Sequence, residues 1–230
     1  MPDSPVFVIT GASSGIGSAT AHRAVEFGQR VVLAARSADK LDSLAEELGG
    51  EDNAIAVSCD VTSWDDQQRL VATTLERFGR VDGYFANAGF GAKRGFLEES
   101  VEHWKSMIDT NVYGAALSIR AVLPEFRRQN SGHFLLTSSV AGRRVLPGSL
   151  YSCTKHAVTA MGEALRQEVA ETDIKVTLIE PGMVDTPFFE NKPTGALEAD
   201  DVARAVMFAL TQPPHVDINE ILVRPIHQPG

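Results

Sequence analysis

The sequence predicts an α/β fold, a doubly wound parallel sheet of seven strands with helices on both faces. Short runs of β-branched and other apolar residues alternate along the chain with longer amphipathic stretches. The short runs are continuously apolar, which is typical of parallel strands that helices cover on both sides. The chain of 230 residues shows no repeat, linker or block of charge. Residues 1–230 are therefore expected to form a single domain.

The predicted elements follow one another in a regular order. The strands are residues 6–9, 31–35, 54–57, 81–86, 134–137, 176–179 and 221–223. Helical patterns lie between them, at about residues 15–27, 41–48, 62–79, 100–128, 151–171 and 200–210. The apolar residues of the second pattern fall at i, i+3, i+4 and i+7, the spacing of one helix face.

Several residues predict where these helices begin, end or break. Gly49-Gly50 is expected to end the second helix. Thr62 or Ser63 is a candidate N-cap for the third, because acidic residues follow three positions later. The long stretch 100–128 is expected to be interrupted near Asn111, whose side chain competes for backbone hydrogen bonds, and again near Pro124, which lacks an N–H group.

Composition and charge exclude several classes of protein. The net charge of −9 at pH 7 repels phosphate backbones, so no nucleic acid or membrane partner is expected. No apolar run approaches the ~18 residues of a membrane span, and the N-terminus lacks a signal-peptide pattern, so a cytoplasmic protein is expected. Cys59 and Cys153 are expected to be reduced. No His, Cys or Asp cluster has metal-ligand spacing, so no metal site is expected.

A glycine-rich loop, Thr10-Gly-Ala-Ser-Ser-Gly-Ile-Gly17, follows the first strand and opens a helix. Glycine allows a positive φ and a close approach of the backbone to a ligand. The helix that follows directs its free N–H groups and positive dipole end towards a pyrophosphate. This context predicts a Rossmann-type dinucleotide site. The loop residues expected to contact the cofactor are Gly11, Ser13, Ser14, Ile16 and Gly17.

Arg36 indicates which dinucleotide this site binds. A carboxylate that reads the ribose of NAD usually stands about 20 residues after the loop. Here residues 34–37 are Ala-Ala-Arg-Ser and contain none. Arg36 can pair with the 2′-phosphate of NADP(H), and Ser13 can add a hydroxyl donor. The sequence therefore favours NADP(H), with the alternative that Arg36 is only a solvated surface residue.

Further motifs stand at the ends of the later strands, and with the glycine loop they resemble the short-chain dehydrogenase/reductase family over essentially the whole chain. The matching residues are Gly11, Gly15, Gly17, Asp60-Val61, Asn87-Ala88-Gly89, Tyr151, Lys155 and Pro181-Gly182. One departure is Ala86, where the family more often has a second Asn. The resemblance implies that Asp60 and Val61 meet the adenine. Further cofactor-binding residues that it implies are Asn87, Ala88, Gly89, Tyr151, Lys155, Pro181, Gly182, Val184 and Thr186.

The resemblance also implies a catalytic set of Asn111, Ser139, Tyr151 and Lys155. Tyr151 and Lys155 are four residues apart and share a helix face. The Lys155 ammonium is expected to lower the phenol pKa, so that Tyr151 acts as acid and base. Ser139 would bind the substrate oxygen, and Asn111 would hold a water that feeds protons to Lys155. The implied reaction is hydride transfer between NADP(H) and a small-molecule carbonyl or secondary alcohol.

Two serines compete for the role of oxygen donor, because strand five ends in Thr-Ser-Ser. Successive strand residues point to opposite faces, so only one of them can face the nicotinamide. The local sequence Ser-Ser-Val-Ala-Gly favours Ser139, whereas the family's usual spacing of thirteen to the tyrosine favours Ser138. Ser139 is the prediction.

The substrate pocket is expected outside the carboxyl ends of the strands, under a lid formed by residues 186–195. Arg143-Arg144 is a candidate for binding a substrate carboxylate, or a solvated or interface feature. Phe188-Phe189 is either a substrate clamp or lid packing. The resemblance implies a homo-oligomer, a dimer or tetramer. A cofactor-sensing regulator or scaffold without turnover is the alternative function.

Overall fold

The computed structural model describes residues 4–189, 191 and 193–228. Its main sheet has seven parallel strands in the order β3-β2-β1-β4-β5-β6-β9. These strands are β1 Val6–Thr10, β2 Arg30–Ala35, β3 Ala54–Ser58, β4 Gly83–Ala86, β5 Gly132–Thr137, β6 Ile174–Pro181 and β9 Glu220–Val223. The two short strands β7 Val184–Asp185 and β8 Leu197–Glu198 form a separate pair. The predicted doubly wound parallel sheet is confirmed.

Helices cover both faces of this sheet. They are α1 Gly15–Glu26, α2 Ala38–Glu47, α3 Trp64–Phe78, α4 Val101–Ile108, α5 Ala115–Gln129, α6 Leu150–Glu168 and α7 Ala199–Leu210. Because side chains alternate along a strand, β1 places Val8 in one apolar layer and Phe7 and Ile9 in the other. Tyr84 and Phe85 of β4 divide in the same way. Both faces are therefore buried, which explains why the strand sequences are continuously apolar.

The interruption expected near Asn111 takes the form of a π-helical segment, Asp109–Gly114, between α4 and α5. The interruption expected near Pro124 is wrong, because α5 runs through this residue. Pro124 is exposed, as is Arg120, whose carbonyl loses its helical partner. Water can satisfy that carbonyl on the outer face, so the helix continues.

The ends of α3 and α6 can be compared with the predicted ones. Ser63, of the two candidates, caps α3 and accepts a hydrogen bond of 3.3 Å from the Asp66 N–H. α3 ends at Phe78, which agrees with the predicted end near Gly79, and Gly79 caps it in the left-handed conformation. α6 begins at Leu150 and ends at Glu168, so it is shorter at its C-terminus than the predicted helix to residue 171.

Candidate active site

The glycine loop forms a cradle at the carboxyl end of β1. Gly11 has φ +68°, and a Cβ there would lie 3.0 Å from the Cα of Ala88. Within the described chain, the side chain of Ser14 makes no capping hydrogen bond and the first turn of α1 holds no acidic residue. The first N–H groups of α1 therefore lack a competing anion. This arrangement fits a pyrophosphate at the start of the helix.

Asn87 joins three strand ends at the point where the strand order reverses, between β1 and β4. Its amide Nδ2 donates to the Thr10 carbonyl at 3.1 Å, and its Oδ1 accepts from the Thr137 hydroxyl at 3.1 Å. Its backbone N–H donates to the Thr10 hydroxyl at 3.0 Å, and that of Ala88 donates to the same oxygen at 3.3 Å. The Asn-Ala-Gly segment thus borders the crevice in which such folds bind dinucleotides.

Residues 60–61 follow β3 and Arg36 follows β2, at the end of the crevice that is predicted to hold the adenine. The Asp60 carboxylate accepts hydrogen bonds from the backbone and hydroxyl of Thr62, at 2.9 and 2.7 Å. Val61 packs against the π-helical segment at Gly114. Arg36 is exposed at the end of β2. Among the described residues it has no recorded hydrogen bond or ion pair, so its guanidinium is available to an anionic ligand.

Tyr151 and Lys155 lie one turn apart on α6, with the Lys155 ammonium 5.7 Å from the centre of the tyrosine ring. Lys155 is buried and donates to the Thr137 carbonyl at 2.7 Å. Burial lowers the pKa of Lys155 to about 8. Burial also raises the pKa of Tyr151 to about 12, although a hydrogen bond with Ser139 acts in the opposite direction. The expected lowering of the phenol pKa by Lys155 is therefore wrong for the protein alone, because desolvation dominates.

The two serines at the end of β5 lie in different surroundings. The Ser139 hydroxyl hydrogen-bonds Tyr151, accepts from the Ala141 N–H at 3.1 Å and lies 3.3 Å from the Pro181 carbonyl to which it donates. Ser138 is fully buried and donates to the Lys155 carbonyl at 3.1 Å. The structure therefore brings Ser139 to Tyr151 and turns Ser138 away.

Asn111 is buried in the π-helical segment and fastens the loop after β4. Its Oδ1 accepts from the Phe90 N–H at 3.0 Å, and its Nδ2 donates to the Phe90 carbonyl at 2.9 Å and to Thr154 at 3.2 Å. A cavity of about 10 Å³ lies beside Asn111 and Thr137, close to the space that one water needs. The Asn111 side chain is thus occupied by protein groups, and a water would contact the segment from this cavity.

The chain after β6 returns over both the cradle and Tyr151. The Gly182 N–H donates to Val223 at 2.7 Å, and Val184 lies in the pair β7-β8. A Cβ on Gly15 would lie 3.1 Å from Thr186, so Thr186 lies against the phosphate cradle.

Phe188 covers the catalytic end of the site. Its ring contacts Tyr151 edge to face, with 5.5 Å between the ring centres, and Phe189 at 5.0 Å. A Cβ on Gly91 would lie 2.6 Å from this ring. Of the expected lid residues 186–195, Glu190 and Lys192 lie outside the described residues. Neither Gly91 nor its contact with Phe188 had any signal in the sequence.

Arg143 is not free to bind a substrate carboxylate. Its Nε lies 2.8 and 2.9 Å from the two oxygens of Glu180, and the guanidinium also pairs with Glu220. Glu180 was missed in the sequence, where its only signal is a carboxylate directly after the predicted strand 176–179. A buried charge at such a position needs a partner.

Comparison with known proteins decides the family. The model of the short chain dehydrogenase family matches residues 5–196. The chain belongs to the short-chain dehydrogenase/reductase family. An uncharacterized oxidoreductase of Staphylococcus haemolyticus is 45% identical over 225 residues, which are 96% of this chain and 97% of that protein. The resemblance seen in the sequence is thus confirmed, and the chain is an oxidoreductase of this family.

Solved structures of the family are similar throughout. An alcohol dehydrogenase from Thermococcus sibiricus, complexed with 5-hydroxy-NADP, is 32% identical with a TM-score of 0.91 and covers 99% of each chain. A 3-ketoacyl-(acyl-carrier-protein) reductase from Brucella melitensis, complexed with NADH, is 29% identical with a TM-score of 0.90 and covers 98% of this chain and 99% of its own. These two members hold different types of dinucleotide.

In the part of the chain that the structure describes, no helix combines the length and apolar character needed to cross a membrane. No cluster of three or more His, Cys, Asp or Glu side chains in the same residues is arranged to hold a metal ion.

Proposed function

We propose that this oxidoreductase transfers a hydride between NADP(H) and a carbonyl or secondary alcohol, with Tyr151 as the acid and base. The observation that carries the proposal is the contact between the Ser139 hydroxyl and Tyr151, with Lys155 one turn along the same helix. The two hydroxyls lie together there, and a substrate oxygen that replaced the Pro181 carbonyl as acceptor of the Ser139 proton would receive a hydrogen bond from both. This is the arrangement needed for an oxygen atom that gains negative charge.

The residues present fit the cofactor. The cradle at Gly11 and the free start of α1 suit the pyrophosphate, and Arg36 suits a 2′-phosphate. The crevice beside Asn87 and the strand ends would take the nicotinamide half, with the main chain near Val184 and Thr186 at its edge. When bound, the cofactor supplies or accepts the hydride, and the protein binds, orients and moves the proton.

The proton transfer follows from the pKa values. Burial raises the pKa of Tyr151 to about 12, so the phenol carries its proton at neutral pH. In the direction of reduction, Tyr151 donates that proton to the carbonyl oxygen as the carbon receives the hydride, and Ser139 donates a hydrogen bond to the same oxygen. Lys155, with a pKa of about 8, can then return a proton to the phenolate. A water in the small cavity beside Asn111 would lie against Asn111 and Thr137, whose carbonyl accepts a hydrogen bond from Lys155.

Preference for NADP(H) over NAD(H) rests on Arg36. Its exposure and freedom from protein partners among the described residues support binding of an extra phosphate. A member of the family that holds an NADP derivative and one that holds NADH have nearly equal structural similarity to this chain, so the preference depends on this residue and not on the fold.

The experiment that tests the proposed function is NADPH oxidation with a panel of aldehydes and ketones, and Tyr151→Phe as the control. We expect turnover by the wild type and loss of at least about 100-fold in the variant, because proton transfer contributes about 10²- to 10⁴-fold. Wild-type protein that binds NADPH but reduces nothing would favour a cofactor sensor. Equal activity of Tyr151→Phe would remove Tyr151 from the mechanism.

We also propose a homo-oligomer, a dimer or tetramer. Val101 and Ile108 of α4 and Tyr113 beside it are 66%, 41% and 53% exposed. Such apolar exposure on adjacent elements is typical of a surface that a second copy covers. Light scattering during size-exclusion chromatography measures the mass directly, and a monomer would contradict this proposal.

A further inference from the structure

A polar network lies behind the candidate catalytic residues, outside the motifs that carry the family resemblance. At its centre is Glu180, near the end of β6, which is 1% exposed. The Nε–H of Arg143 points between the two oxygens of this carboxylate, at 2.8 and 2.9 Å. Glu220, on the neighbouring strand β9, accepts from the other end of the same guanidinium. The network therefore joins the loop after β5 to two strands.

The network reaches Ser139 through a single turn of chain. Ser139 precedes the 3₁₀ turn Val140–Gly142, and Arg143 follows it. The Ser139 hydroxyl donates to the carbonyl of Pro181, the residue after Glu180. Both ends of the turn are thus attached to neighbouring residues at the end of β6. A shift of Arg143 would rotate the turn and move the Ser139 hydroxyl from Tyr151.

The network reaches Lys155 through two hydroxyls. Thr159 hydrogen-bonds Glu180, and its Oγ1 lies 2.7 Å from the Oγ of Ser138. Ser138 in turn lies 3.1 Å from the Lys155 carbonyl. An ionised carboxylate only accepts hydrogen bonds, so a Thr159 hydroxyl that bonds Glu180 gives it its single proton. Ser138 then divides its own proton between Thr159 and the Lys155 carbonyl. The charge on Glu180 therefore influences the orientation of both hydroxyls.

The Arg143 guanidinium opposes the effect of burial on this carboxyl. Burial raises the pKa of Glu180, while the hydrogen bond and charge of Arg143 act in the opposite direction. A buried carboxyl without a cation would take up a proton and become a hydrogen-bond donor. The direction of the hydrogen bonds at Thr159 would then reverse.

We propose that the ion pair between Arg143 and Glu180 is a positioning element of the active site, which holds Ser139 against Tyr151 and anchors α6 at Lys155 through Thr159. Neither Arg143 nor Glu180 is proposed to contact the reacting atoms. The inference rests on the proposed function, because its rate effects are measured in the proposed reaction.

The test uses the full chain, NADPH and the carbonyl compound that the wild type reduces fastest. Glu180→Gln keeps the shape of the side chain but removes its charge. We expect kcat to fall about tenfold with KM for the carbonyl changed less than about twofold, because orientation and not binding is disturbed. Thr159→Val is expected to lower kcat about threefold, and Thr159→Ser, which restores the hydroxyl, to recover the wild-type value.

Glu125 provides a matched control. It is also buried, at 8% exposure, and its carboxylate accepts two hydrogen bonds of 2.8 and 2.6 Å from Arg128 on α5. Glu125→Gln removes the same charge from a similar ion pair. We expect it to lower the melting temperature as Glu180→Gln does and to leave kcat unchanged.

A crystal structure of Glu180→Gln gives a readout that needs no turnover. We expect the Ser139 hydroxyl to have lost its hydrogen bond with Tyr151. An intact contact, or an unchanged kcat while the wild type is active, would overturn the inference. A wild type that binds NADPH but reduces no carbonyl would overturn the proposed function instead, and the crystal structure would still decide whether the ion pair positions Ser139.

Discussion

Replacing each of two adjacent serines by alanine separates the catalytic hydroxyl from the structural one. Ser139→Ala removes the hydroxyl that hydrogen-bonds Tyr151, where the carbonyl oxygen would gain charge. One hydrogen-bond donor to a developing oxyanion contributes about 10²- to 10³-fold to kcat, or about 2.7–4 kcal/mol. We therefore expect kcat of Ser139→Ala to fall about 100- to 1,000-fold, together with a loss of stability from its own buried hydrogen bonds to Ala141 and Pro181.

Ser138→Ala should lose stability and keep most of its activity. Ser138 is fully buried, and its hydroxyl contacts only the Lys155 carbonyl and Thr159 in the recorded hydrogen bonds of the described chain. Losing these buried contacts costs about 1–3 kcal/mol of folding free energy. Its route to the reaction runs through α6 alone, so kcat should fall no more than about threefold.

The assay pairs steady-state NADPH oxidation with thermal unfolding of both variants. We expect both variants to lose stability and only Ser139→Ala to lose most of its activity. A larger kcat loss in Ser138→Ala would refute the assignment of Ser139 as the catalytic serine. It would support Ser138, which the family's usual spacing of thirteen residues favours. Equal losses in both variants would show that the strand end acts as one unit.

Three further predictions concern other parts of the molecule. Arg36→Asp should raise KM for NADPH at least about tenfold and leave KM for NADH nearly unchanged, since a carboxylate repels only the extra phosphate; an equal change for both cofactors would contradict this. Gly11→Ala should weaken NADPH binding measured by fluorescence titration, whereas Gly28→Ala, with a similar φ of +76° and no atom within 4 Å of its Cβ, should lower only the melting temperature. Burial lowers the pKa of His133 to about 3, so the unfolded chain binds a proton at acid pH that the folded chain does not. Stability should therefore fall as pH drops from about 6.5 towards about 3, and thermal unfolding of His133→Asn should show a smaller fall.

The sheet could be predicted because the sequence pattern that indicates each strand is local. Each strand is a short apolar run with helices on both sides, and each cofactor motif directly follows a strand, so order along the chain gives position in space. The prediction failed at Pro124, where the effect of the missing N–H depends on which face of α5 meets solvent. That face is set by the packing of α5 on the sheet, which the isolated sequence does not contain.

The chemistry of the site was less predictable because it depends on burial and on distant partners. The spacing of Tyr151 and Lys155 indicates a charge beside a phenol, but the depth of both groups reverses the expected pKa shift of the phenol. The sequence left a substrate role open for Arg143. Its guanidinium instead pairs with Glu180 on β6 and Glu220 on β9, both far from it along the chain.

The segment after β6 connects the cofactor cradle to the substrate end of the site. Thr186 lies against Gly15 of the cradle, and Phe188, two residues later, lies against Gly91 and the ring of Tyr151. A Cβ on Gly15 would lie 3.1 Å from Thr186 and one on Gly91 2.6 Å from the Phe188 ring, so the two glycines allow the segment to approach closely at both points. Because only Pro187 separates Thr186 from Phe188, one short stretch of chain borders both the cradle and the ring of Tyr151.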